Sequence, residues 1–186
     1  AIANFFVYIV RYAVLDWGPT LLGEWKGVSI HHAGWMVAAF EISGIVGMLV
    51  AGWATDRFFG GRGPRVCVIC MALATVFVAL FWGISQPPMW LATLLLGAAG
   101  FCIYGPQALV GIAAANIATK KAAATAVGFT GLFGYASTLV SGWGLGLLAQ
   151  HYGWNIAVGA LILIAIMGTL IFMAAWSAKA NGYDND

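Results

Sequence analysis

Charge is what this sequence has least of. Of its 186 residues eight are Lys or Arg and six are Asp or Glu, so charged side chains make up 8% of the chain while 62% of it is hydrophobic. Soluble domains carry about 25% charged residues, and a chain this poor in charge cannot cover itself as one. No Lys/Arg run and no basic amphipathic helix is present, which removes nucleic-acid binding and a peripheral membrane role; a net charge of +2 supports neither. Cysteine is sparse too. Cys67 and Cys70 form a C-x-x-C in "VCVICMALATVF", and with Cys102 they have only hydrocarbon neighbours, where redox or zinc chemistry needs accessible thiolates. All three read as small buried hydrophobes. The three histidines, His31, His32 and His151, fall in what read as loops. No His/Asp/Glu cluster has metal-ligand spacing, no Ser/His/Asp or Cys/His set can be assembled, and no glycine-rich strand-to-helix loop is present to hold a nucleotide. The sequence therefore argues against an enzyme and calls for neither a metal nor a cofactor. An initiating Met is also missing, and the chain opens inside an apolar segment, so it reads as part of a longer product.

Long apolar runs are what the sequence has instead, with a mean hydropathy of +0.93. Six can be laid out, at 2–22, 33–55, 65–84, 89–115, 122–149 and 153–176, each close to the ~20 residues that cross a bilayer. The fold class they predict is an all-α membrane protein, a six-helix transmembrane bundle over residues 1–176 followed by a polar tail at 177–186. Strands are excluded because the runs are too long and too continuously apolar for an alternating barrel pattern. The turns "DRFFGGRGPR" at 56–65, "SQPPMW" at 85–90 and "HYGW" at 151–154 are short, so consecutive helices should be antiparallel neighbours. Arg57, Arg62, Arg65, Lys120, Lys121 and Lys179 then fall on one side and only Lys26 on the other, which by the positive-inside rule makes both ends cytoplasmic. Trp17, Trp25, Trp35, Trp90 and Trp154 read as interfacial anchors.

Two stripes of small residues follow helical spacing: Ser43, Gly47 and Ala51 in the second run, and Gly128, Gly131 and Gly134 in the fifth. Such stripes let helix backbones approach closely. Both predict helix packing, with a surface that parts and rejoins as the functional alternative.

Arg11 lies near the middle of the first run, where it costs about 2.5–3.5 kcal/mol and must face a bundle interior or a wet cavity. Tyr8 shares its face and Tyr12 is one turn beyond Tyr8. A guanidinium among phenols suits a phosphate, which its planar fork grips while hydroxyls complete the shell. The bland alternative is an ion pair with Glu41, the only other ionisable group deep in a run, which could serve structure, gating, substrate or proton coupling. Asp16 is closer to its helix end and reads as a cap or gate. Pro106 in "GFCIYGPQALVGIAAAN" should kink the fourth helix and expose carbonyls, with Tyr104 and Gln107 beside it. Tyr135 closes the second glycine stripe and is a further candidate.

The loop "GWATDRFFGGRGPR" at 52–65 resembles the G-x-x-x-D-R segment between the second and third helices of each half of major facilitator transporters. More specifically, "FVYIVRYAVLDWGPT", "FCIYGPQALVGIAAAN" and "KKAAATAVGFTGLFGYAS" resemble the first, fourth and fifth helices of the C-terminal half of the organophosphate:phosphate antiporters. The likeness runs from Phe5 to about Trp176 and implies one half of a major facilitator fold in a bacterial cytoplasmic membrane. By resemblance, Arg11 is half of a phosphate site, Tyr8, Tyr104 and Tyr135 line the pore beside it, and Glu41 matches an acidic position of the second helix, a candidate for gating or coupling; Gln107 remains a substrate-binding candidate from its place beside Pro106. Asp56 and Arg57 carry the loop motif and are candidates for gating. The implied partner is the N-terminal six-helix half, which would supply a second arginine. The implied activity is exchange of inorganic phosphate for an organic phosphate by alternating access. The family also contains a sugar-phosphate sensor that signals to a kinase, and "GPQALVGIAAAN" is at least as close to that branch, so a receptor is the second reading. A facilitator of another family, its arginine holding a carboxylate, is a third that the motifs oppose.

Overall fold

Lipid offers no partner to a backbone N–H or C=O, so each apolar run satisfies its own groups as a helix. The computed structural model describes residues 1–85, 87–118 and 121–177. Helix α1 spans Ile2–Lys26, α2 Ile30–Phe59, α3 Gly63–Gly83 and α4 Met89–Ile117. The fifth crossing is α5, Ala123–Leu139, then a π turn at Val140–Gly144, then α6, Leu145–Tyr152; α7, Trp154–Ala174, is the sixth. Among the described residues these make six crossings long and apolar enough to span a membrane. Lys120, Lys179 and the tail at 178–186 lie outside the described residues.

Three boundaries depart from the sequence reading. Helix α1 runs through Pro19 to Lys26 and stops at Gly27, whose left-handed backbone (φ 68°) returns its N–H to the Gly23 carbonyl. Helix α2 starts at Ile30, where the Ser29 hydroxyl accepts from the His32 N–H; His31 and His32 therefore sit in a first helical turn, exposed, and not in a loop. The fifth crossing widens into a π turn at "VSGWG", where Gly142 and Gly144 lower helix propensity. The fourth helix continues unbroken through Pro106, which is fully buried.

Adjacency in sequence does not by itself decide packing, and of the consecutive pairs only α3 and α4 share a principal surface. Helix α2 lies mainly along α4, α3 between α4 and α7, and α1 against α5 and α7. Phe40, Met71, Ile103, Val7 and Val10 are fully buried where these surfaces meet. The α2 stripe makes the closest of these approaches. The Ser43 hydroxyl donates to the Gly97 carbonyl at 2.7 Å. A Cβ on Gly47 would overlap the Phe101 main chain, and one on Gly100 the Phe40 main chain. The second stripe behaves differently: a Cβ on Gly128 or Gly131 would meet nothing within 4 Å, and only Gly134 is packed, against Asn4 and Tyr8.

Three of the tryptophans make hydrogen bonds between elements. Trp25 Nε1 donates to Asn155 Oδ1 at 3.1 Å and Trp154 Nε1 to Glu24 Oε2 at 2.8 Å, tying α1 to α7. Trp17 Nε1 donates to the Ser141 and Gly142 carbonyls at 3.0 and 3.2 Å.

Candidate functional site

Arg11 stands about 14 Å along α1 from its first residue, and its side chain is 16% exposed. Its Nη2 lies 3.4 Å from Glu41 Oε2, the one ion pair among the described residues. The Tyr104 hydroxyl donates to the same Glu41 oxygen. The guanidinium carbon also lies 4.5 Å from the centre of the Tyr104 ring and 5.5 Å from that of Tyr12. The phenols around Arg11 are thus Tyr12 and Tyr104. Tyr8, expected to share the guanidinium's face, turns instead to Gln107, whose Nε2 donates to its hydroxyl at 3.3 Å, and to Tyr135, 6.3 Å away edge to face. The two groups join through the Tyr8–Tyr12 contact, 5.6 Å between ring centres.

Three helices build this arrangement. Helix α1 supplies Tyr8, Arg11 and Tyr12, α2 supplies Glu41, and α4 supplies Tyr104 and Gln107. The α2–α4 seam fixes Tyr104, because its ring lies over Gly44, where a Cβ would displace it. Arg11 Nε, Glu41 Oε1 and Gln107 Oε1 are buried without a hydrogen-bond partner. Buried polar groups are ordinarily paired, so the cluster is under-coordinated: a single ion-pair contact holds a fork able to make two parallel bonds. An oxyanion arriving here would find the guanidinium's remaining donors if the carboxylate gave way. Among the described residues no group of three or more His, Cys, Asp or Glu side chains could hold a metal ion. Cys67, Cys70 and Cys102 are free thiols, Cys67 and Cys102 buried.

Asp56 and Arg57 are not part of the cluster. They lie about 22 Å further along α2 from Glu41, both exposed. Two polar features escaped the sequence reading. Asn4, in the first apolar run, is buried and donates to the Thr130 carbonyl at 2.9 Å, holding α1 to α5. The π turn's carbonyls that receive Trp17 were signalled only by the paired glycines of "SGWG".

A bundle of six spans with a half-paired arginine at mid-depth narrows the family, and the comparison with known families decides it. The model of the Major Facilitator Superfamily matches residues 1–182. The chain belongs to this superfamily. Its similarity to individual superfamily members is substantial. The chain is 40% identical to a probable hexose phosphate transport protein of Chlamydia pneumoniae over 179 residues, 96% of this chain and 39% of that protein. It is 36% identical to a glycerol-3-phosphate transporter of Haemophilus influenzae, over 97% of this chain and 42% of that protein. It is 34% identical to the membrane sensor protein UhpC of Salmonella typhimurium, over 94% of this chain and 39% of that protein. The chain therefore spans about two-fifths of the length of these superfamily relatives.

Proposed function

We propose that this chain is the C-terminal six-helix half of a transporter that exchanges a phosphate monoester for inorganic phosphate, with Arg11 gripping the phosphoryl group. The observation that carries this is the incomplete pairing of Arg11: one 3.4 Å contact to Glu41, with Nε left bare. A cation held this loosely in a span is ready for exchange of its counterion. The names of the Chlamydia and Haemophilus relatives supply the substrate class. Glu41, kept in place by Tyr104, releases the guanidinium when phosphate arrives and reclaims it when phosphate leaves. Tyr8, Gln107 and Tyr135 complete the substrate's surroundings. The other half contributes a second arginine from across the midplane, and rocking of the halves exposes the site to each side in turn. Asp56 and Arg57, in the last turns of α2 before the α2–α3 connection, act on the rate of that rocking. The segment sits in a bacterial cytoplasmic membrane with both ends inside, following the arginine-rich α2–α3 turn.

The complete protein in proteoliposomes tests this directly. Labelled phosphate should exchange against phosphate and against an organic phosphate, and Arg11→Lys should lower that exchange about 100-fold despite keeping the charge, since an ammonium lacks the fork. Near-normal exchange by the lysine variant would remove Arg11 from the site. For coupling, Glu41→Gln should change the pH profile of exchange; an unchanged profile would confine Glu41 to its structural pairing.

One observation favours a second reading, a receptor for sugar phosphate: the 34% identity to a membrane sensor. Saturable ligand binding by the complete protein with no exchange would select it.

A further inference from the structure

We infer that the cleft between α1 and α6, at the end of the bundle away from the arginine-rich turn, binds the ring of a hexose. The cleft encloses about 400 Å³ and is lined by Trp17, Thr20, Glu24, Trp143, Gln150 and Trp154. Its walls are built rather than incidental. The π turn turns the Ser141 and Gly142 carbonyls to the Trp17 indole N–H at 3.0 and 3.2 Å. The Trp17 ring lies over Gly146, where a Cβ would come within 2.6 Å of it. Trp154 is held likewise by its N–H on Glu24, and the two indole rings stand 6.0 Å apart at 59°. With both N–H edges tied into the wall, the faces of the rings are what remain for a ligand.

The chemistry of the lining selects among ligands. No cation lines the cleft and Glu24 does, so a second phosphate site is excluded by charge. A purely apolar ligand would leave the Glu24 carboxylate and the Gln150 amide unused. A small cation would gain little, because Trp143 is 75% exposed and cation–π attraction at so open a site is worth only about 0.5–1 kcal/mol. A pyranose fits both halves of the lining: its C–H face stacks on an indole, and its hydroxyls donate to Glu24 and pair with Gln150 and Thr20.

The position along α1 gives the cleft its use. Tyr12, Asp16, Thr20 and Glu24 recur at every fourth residue, a polar ridge on a membrane-spanning helix, and Asp16, Thr20 and Glu24 are exposed. Carboxylates on such a helix face water or a partner, and this ridge sets a polar side chain at every turn from the cleft to Tyr12 beside Arg11. This rests on the proposed exchange of phosphate esters: a hexose phosphate is first held by its ring at the cleft, then passed to Arg11 by its phosphoryl group.

Trp143→Ala and Gln150→Ala in the complete transporter provide the test. KM for external hexose 6-phosphate should rise about tenfold, the equivalent of one lost stacking partner, while KM for phosphate and for glycerol 3-phosphate stays unchanged. Equal rises for all three substrates, or none for any, would overturn the assignment. Unphosphorylated glucose separates this idea from the transport reading. Saturation transfer from protein to glucose C–H protons is expected in the wild type and in Arg11→Lys, and lost in Trp143→Ala. No transfer in the wild type overturns the cleft site even if phosphate exchange is intact; transfer without any exchange keeps the cleft and sinks the transporter.

Discussion

The two stripes of small residues look alike in sequence and meet opposite surroundings. Along α2, Ser43, Gly47 and Ala51 lie against the backbone of α4, so closely that a methyl group at Gly47 would enter the Phe101 main chain. Along α5, Gly128 and Gly131 face open space, amid exposed Phe129, Leu132, Tyr135 and Leu139. The first stripe is consumed in building the bundle, and Gly44 beside it seats Tyr104 on Glu41. The second is left over. Small residues at helical spacing therefore mark where a backbone can be approached, without saying whether the same chain does the approaching.

Substitutions can break or sharpen this contrast. Gly47→Ala and Gly100→Ala should have the largest effect, since main chain cannot yield as a side chain can; a loss of about 3 kcal/mol is expected, read as a lower unfolding midpoint in detergent. Gly134→Ala should cost about 1 kcal/mol, because the new methyl would lie 3.1 Å from the Tyr8 ring and that ring can shift. Ser43→Ala should lose about 0.6 kcal/mol, the usual worth of an interhelical hydrogen bond in a membrane. Gly128→Ala and Gly131→Ala should be smallest, within about 0.5 kcal/mol of the parent in the six-helix chain and on the favourable side if helix propensity decides. A large loss at Gly128 or Gly131 in that chain would erase the contrast. The same two variants slowing exchange in the complete protein, with stability unchanged, would place the second stripe at a moving contact.

Much of the architecture was legible because lipid leaves few options. Six apolar runs became six crossings, and the partner of Arg11 could be named because Glu41 is the only carboxylate deep in an apolar run of the sequence. Tyr12 and Tyr104 were legible as neighbours of the guanidinium, and the turn of Tyr8 away from it was not. Tyr8 shares a helix face with Arg11, but that face spans more than one neighbour, and Gln107 and Tyr135 compete for its ring. The early start of α2 was readable in Ser29, a good cap one residue before Ile30, and was masked by the polar pair His31 and His32. The packing of α2 on α4 was legible only as a capacity, since nothing in the local sequence names the facing helix. Trp17 was read by composition, as an aromatic near an interface. Its hydrogen bonds depend on carbonyls 124 and 125 residues later, which no local pattern carries.

The π turn that presents those carbonyls carries a consequence for how the chain tolerates change in length. A π turn accommodates one residue more than the α-helix needs, so the fifth crossing has a position where a single-residue deletion can be absorbed as ordinary α-helix. The cost is local: because the wide turn is what holds the extra residue, its removal leaves α6 close to its present phase, with Gly146 still under Trp17, and narrows only the turn whose carbonyls meet the indole. Elsewhere in the crossing a deletion would misalign every buried face beyond it. At Val140–Gly144 it would keep both the packing of α5 on α1 and the place of α6, and take away only the widening from which Ser141 and Gly142 accept the Trp17 N–H.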